Sequence, residues 1–198
     1  MLTALQRLGV HPHYVEVVKD LYTDMSFCTQ GWDNTLEWAT PHTGIRQGCP
    51  LSPYLFIMIM TVLFADVETS LLRQGVPTNT WSVGKPIFDI EYADDTLLLG
   101  LTHSQLEFFL HTVQQEANLY GMELNFTKTE LLRHPSSESQ TVKFSDGTSV
   151  PLKDTVKYLG SSVTWFKPAK EAIQARLLLA SSAYSKLQHM WRSRAANK

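Results

Sequence analysis

The sequence predicts an α+β fold, with antiparallel strands and helices collected on one face. Three observations carry this expectation. Five segments space their apolar residues three and four apart, as a helix does when it buries one face. Between them lie short alternating runs of strand length, punctuated by Gly, Asn and Asp turn residues. The order helix, strand, acidic hairpin, helix, strand leaves the carboxylates on an edge or face that the helices do not cover.

Taken in order, Leu2, Leu5 and Leu8 have helical spacing and Gly9 can stop that helix. No capping residue precedes them, so the chain is expected to open inside a longer protein. A second helix is expected from Pro12 to Met25, with Val15, Val18, Leu21 and Tyr22 on one face. His11-Pro12-His13 reads as a loop and not a metal site. Residues 26–40 suggest a hairpin turning at Gly31-Trp32-Asp33-Asn34. After the loop Gly44–Pro50, Ser52 can cap a helix with Pro53 as its first residue, Leu51 and Phe56 forming a staple. That helix should run to about Leu72, its first half deeply buried because it is apolar nearly all round.

Pro86–Glu91 and Thr96–Gly100 form the next strand pair, joined through Tyr92-Ala93-Asp94-Asp95. Thr102 and Gln105 make a capping box for a helix whose stripe is Leu106, Phe109, Leu110, Val113, Ala117 and Tyr120, with Gly121 as its stop. Short strands are expected near Glu123–Phe126 and Glu130–Arg133. A hairpin with Asp146-Gly147 turn chemistry follows, then a strand at Tyr158–Val163. The last helix begins near Pro168 and presents Ile173, Leu177, Ala180, Tyr184 and Leu187 on one face.

The 198 residues are 43% hydrophobic, enough for a sizeable core, and allow one domain or one plus a fragment. A net charge of −2 gives no global nucleic-acid signature. The charge is uneven, however. From Lys167 onward seven basic residues face Glu171 alone, a net of +6, and the preceding 166 residues carry −8. A basic tail suits phosphate binding, and it suits a solvated helix face equally. Cys28 and Cys49 offer neither a disulfide framework nor a zinc spacing, so a reducing intracellular setting is expected, nucleus or cytoplasm. The longest apolar run, Leu55 to Ala65, is eleven residues broken by Thr61. A bilayer needs roughly 20, so a buried helix and no membrane partner are expected. No signal-peptide pattern is present.

The acidic hairpin is the most informative element. Asp89, Glu91, Asp94 and Asp95 place four acids within seven residues, with no Lys or Arg among them. Such charge repels itself unless it is solvated or binds a cation. Ordinary turn chemistry also favours Asp here, so the hairpin alone leaves both readings open.

Four landmarks stand in order: Gly44-Ile45-Arg46-Gln47-Gly48-Cys49-Pro50-Leu51-Ser52-Pro53, Tyr92-Ala93-Asp94-Asp95, Gly121-Met122-Glu123-Leu124-Asn125-Phe126-Thr127-Lys128-Thr129-Glu130, and Tyr158-Leu159-Gly160. Together they resemble the reverse transcriptase domain of non-LTR (LINE-like) retrotransposons, across essentially the whole chain. The resemblance implies a right-hand polymerase palm over residues 1–166, with partial fingers. Residues 167–198 then become a basic helix that starts the thumb.

The implied reaction is two-metal nucleotidyl transfer, with two Mg²⁺ (or Mn²⁺) ions about 3.5–4 Å apart. By resemblance Asp94 is the main metal ligand and Asp95 its partner. Arg46, Gln47, Gly48, Pro50 and Tyr92 would line the nucleotide and template. Lys128 is a candidate proton donor or charge clamp at the triphosphate, and Tyr158, Leu159 and Gly160 would hold the primer end. The implied partners are an RNA template, a DNA primer and deoxynucleoside triphosphates.

One departure matters. The family carries another essential aspartate on a strand upstream of the helix that opens this chain, and no candidate precedes Met1. Asp20 and Asp24 have a helical context. The expectation is therefore a palm lacking the N-terminal part of its polyprotein, inactive by itself. The alternative reading is a palm-fold remnant that binds nucleic acid or protein without catalysis.

Overall fold

The computed structural model describes every residue except 31–35, 42–43, 47, 76–79, 83–84, 87, 135–140, 166–167 and 196–198. Among the described residues it holds helices and five small two-stranded ladders, four antiparallel and one parallel. This is the α+β mixture that the sequence predicts. The chain divides into two compact units, residues 1–100 with 108–123, and residues 101–107 with 124–198.

The first unit opens with α1 (Leu2–Arg7). Gly9, at φ 75°, turns the chain so that the Val10 N–H reaches the Leu5 carbonyl at 3.0 Å, a left-handed stop open to glycine without strain. Helix α2 (Pro12–Tyr22) has Pro12 in its first turn and His11 as cap, the ring Nδ1 accepting from the His13 N–H at 3.2 Å. It ends three residues before Met25, the expected limit. The Thr23 hydroxyl donates to the Lys19 carbonyl at 2.8 Å while Thr23 goes extended, and Asp24 takes a positive φ of 50°. Strands β1 (Phe27–Gln30) and β2 (Leu36–Ala39) pair antiparallel. The turn expected at Gly31–Asn34 lies outside the described residues.

Helix α3 (Ser52–Arg73) departs from expectation at both its cap and its burial. Leu51 is the residue preceding it, without a side-chain cap, and Ser52 is buried, its hydroxyl 3.2 Å from the Tyr22 hydroxyl. The first half is not deeply buried: Tyr54 is 64% exposed and Ile57 53%. Only one side of that half meets α1 and α2, where Leu55 joins Leu5, Val15 and Val18 in a core cluster. The continuous burial falls later, at Val62, Leu63, Phe64, Val67 and Leu71. Each such side chain withdrawn from water stabilises the fold by about 1.5–3 kcal/mol. By length and composition α3 is apolar enough to cross a membrane. About a third of that apolar window is buried, and Asp66 within the helix is ion-paired with Arg7.

Strands β3 (Thr80–Ser82) and β4 (Lys85–Pro86) form a short antiparallel pair, followed by β5 (Asp89–Tyr92) and β6 (Asp95–Leu98). Helix α4 (His103–Leu119) buries Phe109, Leu110, Thr112, Val113 and Ala117, close to the predicted stripe. The Thr102 hydroxyl accepts from the Gln105 N–H at 3.2 Å, and the Gln105 amide oxygen reaches back to the Leu101 N–H at 2.8 Å. At the other end Gly121 (φ 69°) lets Met122 N–H bond the Ala117 carbonyl at 3.0 Å. Ser70 donates to Glu116 at 2.6 Å, tying α3 to α4. Arg7 ties α1 to both. Its guanidinium bonds both Asp66 carboxylate oxygens, at 2.6 and 2.5 Å, and the Tyr120 hydroxyl at 2.6 Å, while that hydroxyl donates to Asp66 at 2.5 Å.

No strand forms at Glu123–Phe126, which instead enters a turn where the second unit resumes. Strand β7 (Leu131–Leu132) pairs in parallel with β8 (Leu152–Lys153). The Asp146–Gly147 turn closes a hairpin reduced to the Lys143–Ser149 bridge and its flanking bonds. Val142, Phe144 and Val150 are buried there, with Phe126 stacked on Phe144 at 4.1 Å. The single strand expected at Tyr158–Val163 is two, β9 (Thr155–Tyr158) and β10 (Ser161–Thr164), because Leu159 and Gly160 reverse the chain between them.

Helix α5 (Pro168–Ala195) inverts its expected face. Ile173, Leu177, Ala180, Tyr184 and Leu187 are exposed, and Ala172 and Ala175 are half-buried instead. The small residues let the helix backbone approach β10, where Arg176 Nη2 donates to the Ser161 hydroxyl at 3.2 Å. Arg176 is thereby engaged within the unit while remaining exposed.

Candidate functional site

The acidic hairpin is built as the sequence requires of a two-carboxylate tip. Strands β5 and β6 pair in the register Asp89–Leu98, Ile90–Leu97, Glu91–Thr96 and Tyr92–Asp95, leaving Ala93 and Asp94 as the turn. Of these two only Ala93 has a positive φ, 53°, the pattern of a type II′ turn, whose first position favours glycine. A methyl group in that backbone region carries strain of about 1–2 kcal/mol. The turn frees Asp94 from the alternation that would point it and Asp95 to opposite faces of one strand.

Asp94 and Asp95 are exposed, and neither carboxylate has a hydrogen-bond or ion-pair partner among the described residues. The root of the hairpin is anchored. Leu99 N–H bonds the Phe88 carbonyl at 2.8 Å, and the buried Phe88 ring meets that of Phe109 at 5.7 Å.

The four acids do not converge. Alternation places Asp89 and Glu91 with Thr96 and Leu98 on one face, and Asp95 with Tyr92, Ile90 and Leu97 on the other. Asp89 and Glu91 meet each other instead. Burial raises the Asp89 carboxyl above its usual range, against the hydrogen bond with Glu91, and Glu68 adds to the rise. Burial and the bond to Asp89 push Glu91 up to about 8. Glu91 is largely surface-exposed, so sharing a proton with Asp89 is the firmer of the two causes. Among the described residues no three His, Cys, Asp or Glu side chains gather as a metal cluster. Asp94 and Asp95 nonetheless fit a hard cation in kind: adjacent, solvent-facing carboxylates with no ion-pair partner among the described residues. Mg²⁺ sites commonly use one or two carboxylates and take their other ligands from water and phosphate.

The glycine loop lies in the same unit. Gly44 and Gly48 have φ of 95° and 82°. Cys49 N–H bonds the Arg46 carbonyl at 3.4 Å, and Ser52 N–H the Cys49 carbonyl at 3.2 Å, so the loop feeds directly into α3. Arg46 is held from α2. Its Nε donates to Met25 Sδ at 2.9 Å and its guanidinium lies 5.8 Å from the centre of the Tyr22 ring. Tyr22 thus touches both ends of the loop, through Arg46 and Ser52. Pro50 is exposed. Gln47 lies outside the described residues. The Cys49 thiol is held below its usual value, chiefly by the Leu51 backbone N–H, with Ser52 and Arg46 contributing.

Lys128, Tyr158, Leu159 and Gly160 belong to the second unit. Lys128 sits exposed in a turn organised by Asn125, whose Oδ1 accepts from the Thr127 N–H (3.1 Å), the Thr127 hydroxyl (2.7 Å) and the Lys128 N–H (3.2 Å). Tyr158 pairs with Ser161 across the Leu159–Gly160 turn, in which both residues have positive φ, 50° and 74°. Leu159 is therefore, like Ala93, a strained non-glycine residue in a hairpin turn. Sequence reasoning passed over Tyr22, Met25 and Asn125. Only Asn125 carried a local signal, an Asx side chain able to bond the backbone two residues on.

Comparison with known proteins shows the family. Residues 2–163 match the family model described as reverse transcriptase (RNA-dependent DNA polymerase). The chain is 30% identical over 149 residues to a retrovirus-related Pol polyprotein from type-1 retrotransposable element R2 of Nasonia vitripennis, covering 69% of this chain and 14% of that protein. It is 27% identical over 173 residues to the Pol polyprotein from type-2 retrotransposable element R2DM of Drosophila melanogaster, covering 81% and 15%. A type-1 R2 polyprotein of Popillia japonica is 26% identical over 167 residues, covering 79% and 23%. The chain therefore spans less than a quarter of the length of these relatives. With its acidic turn, glycine loop and Lys128 segment all inside that matched region, the chain belongs to the reverse transcriptase (RNA-dependent DNA polymerase) family, in the line carried by non-LTR retrotransposons.

Proposed function

We propose that this chain forms the palm of an RNA-directed DNA polymerase within a larger polyprotein, and that it takes part in templated nucleotidyl transfer. The observation that carries the reading is the Ala93–Asp94 turn, which offers two exposed carboxylates, without partners among the described residues, at the tip of an anchored hairpin. Asp94 is the principal ligand for Mg²⁺ or Mn²⁺ and Asp95 its neighbour. The bound metal supplies charge neutralisation at the phosphate and activation of the primer hydroxyl.

Tyr92, directly opposite Asp95 in the register, and the loop Arg46, Gln47, Gly48 and Pro50 line the incoming nucleotide and its template base. Gly48 allows the backbone to come close. Lys128 faces the triphosphate as a cation and proton source. The Tyr158-Leu159-Gly160 turn supports the primer end, and α5 begins the thumb. The partners are RNA template, DNA primer and deoxynucleoside triphosphates. The two free cysteines accord with a reducing intracellular compartment.

The test is a Mn²⁺ titration of the isotope-labelled chain followed by paramagnetic broadening. Broadening centred on residues 92–96 and abolished by Asp94→Ala is expected. Broadening that spares these residues, or that survives Asp94→Ala unchanged, refutes the site.

A further inference from the structure

We infer that Asn125 is a positioning residue for Lys128, setting the course of that side chain through the backbone without touching substrate. The inference deepens the reading of Lys128 as the cation at the triphosphate and rests on it. Besides the three bonds to its side-chain oxygen, the Asn125 carbonyl accepts from the Lys128 N–H (3.1 Å), the Thr129 N–H (3.0 Å) and the Thr129 hydroxyl (2.9 Å). Six bonds from three successive residues thus converge on two oxygens of one residue, and the Lys128 N–H is shared between them.

Nothing comparable holds Lys128 from outside. Its side chain is exposed and has no hydrogen-bond or ion-pair partner among the described residues. A lysine is a point charge on a flexible stem. Where no neighbour grips the ammonium, its reach is set by where the backbone launches it. Asparagine suits this role because its acceptor oxygen, on a one-carbon stem, reaches the N–H groups two and three residues on. Aspartate has the same reach, glutamine carries the oxygen one carbon too far, and alanine has none.

The experiment compares the full chain with Asn125→Ala, Asn125→Gln, Asn125→Asp, Lys128→Ala and the Asn125→Ala/Lys128→Ala double variant. Affinity for Mg²⁺–dATP is measured by calorimetry, and amide hydrogen exchange is followed at Thr127–Thr129. Lys128→Ala should weaken binding about tenfold, the scale of one charge-assisted hydrogen bond. Asn125→Ala and Asn125→Gln should approach that loss and expose the three amides to exchange. The double variant should bind no worse than Lys128→Ala, because one residue acts through the other. Asn125→Asp should keep both protection and affinity.

Undiminished binding by Asn125→Ala and Asn125→Gln beside a weakened Lys128→Ala overturns the inference and leaves the Lys128 reading standing. Losses that multiply in the double variant also overturn it, since Asn125 would then act independently. No binding by the unaltered chain, or no effect of Lys128→Ala, refutes the Lys128 reading itself and takes the inference with it.

Discussion

Asp66→Asn isolates the knot that joins α1, α3 and α4. The Asp66 carboxylate takes two bonds from Arg7 and one from Tyr120, all between 2.5 and 2.6 Å. The Arg7 bond is the main reason its carboxyl titrates low, at about 2 against an ordinary 3.8. Taken at face value, a depression of that size is worth about 2.4 kcal/mol of stability at neutral pH. Solvent screens the pair, with 46% of the Arg7 side chain and 26% of the Asp66 side chain exposed, so about 1–2 kcal/mol is the working figure.

The sign follows from the depressed value. The contribution is complete above the unfolded carboxyl's range and fades as pH falls from about 5 through about 2, with about half remaining near pH 3. In a chain of this length each kcal/mol moves Tm by about 2–4 °C. Thermal unfolding followed by circular dichroism should therefore place Asp66→Asn about 2–8 °C below the parent at pH 7, and the gap should shrink by about half at pH 3. An equal gap at both pH values would show that packing around residue 66, and not its charge, carries the effect. No gap at pH 7 would show the knot to be ornamental.

Two further outcomes follow from the hairpins. Leu159→Gly should raise stability by about 0.5–1 kcal/mol, since relief of a strained positive φ exceeds the entropy that glycine adds to the unfolded chain; a lowered urea midpoint would refute the strained-turn account. Glu91→Gln should have little effect at pH 5 and stabilise the chain relative to the parent at pH 9. The raised carboxyl of Glu91 costs stability as pH climbs from about 4.5 through about 8. A denaturation series in which parent and variant run parallel from pH 5 to 9 would contradict the shared proton.

Local signals in the sequence were reliable where one residue sufficed. Gly9 and Gly121 stop their helices because each takes a positive φ that residues with side chains avoid, and the Thr102 cap forms as its spacing promises. The Tyr92–Asp95 turn was legible for the same reason. The misreadings share another cause. Apolar content at Ser52–Leu72 does not say which side meets α1 and α2, so the first half of α3 was expected to be buried when only one side is covered. The stripe of α5 was a sound helical pattern, yet its residues are exposed, Ala172 and Ala175 are the half-buried ones, and Arg176 bonds Ser161 of β10. Choice of face depends on what lies opposite, which periodicity does not encode. The four acids likewise looked like one cluster, yet strand alternation puts Asp89 and Glu91 on one face and Asp95 on the other, with Asp94 in the turn.

The acidic hairpin behaves as a cantilever. Its root is clamped where Phe88 meets Phe109, and its tip, at Asp94, has no brace among the described residues. Five residue steps at a strand's rise put the tip about 17 Å from the clamp. A small tilt at the root is therefore magnified at the carboxylates, whereas a change at the tip transmits almost nothing back. Substitutions at position 109, buried in α4 at the root of the hairpin, should accordingly alter where the acids stand while leaving their chemistry untouched.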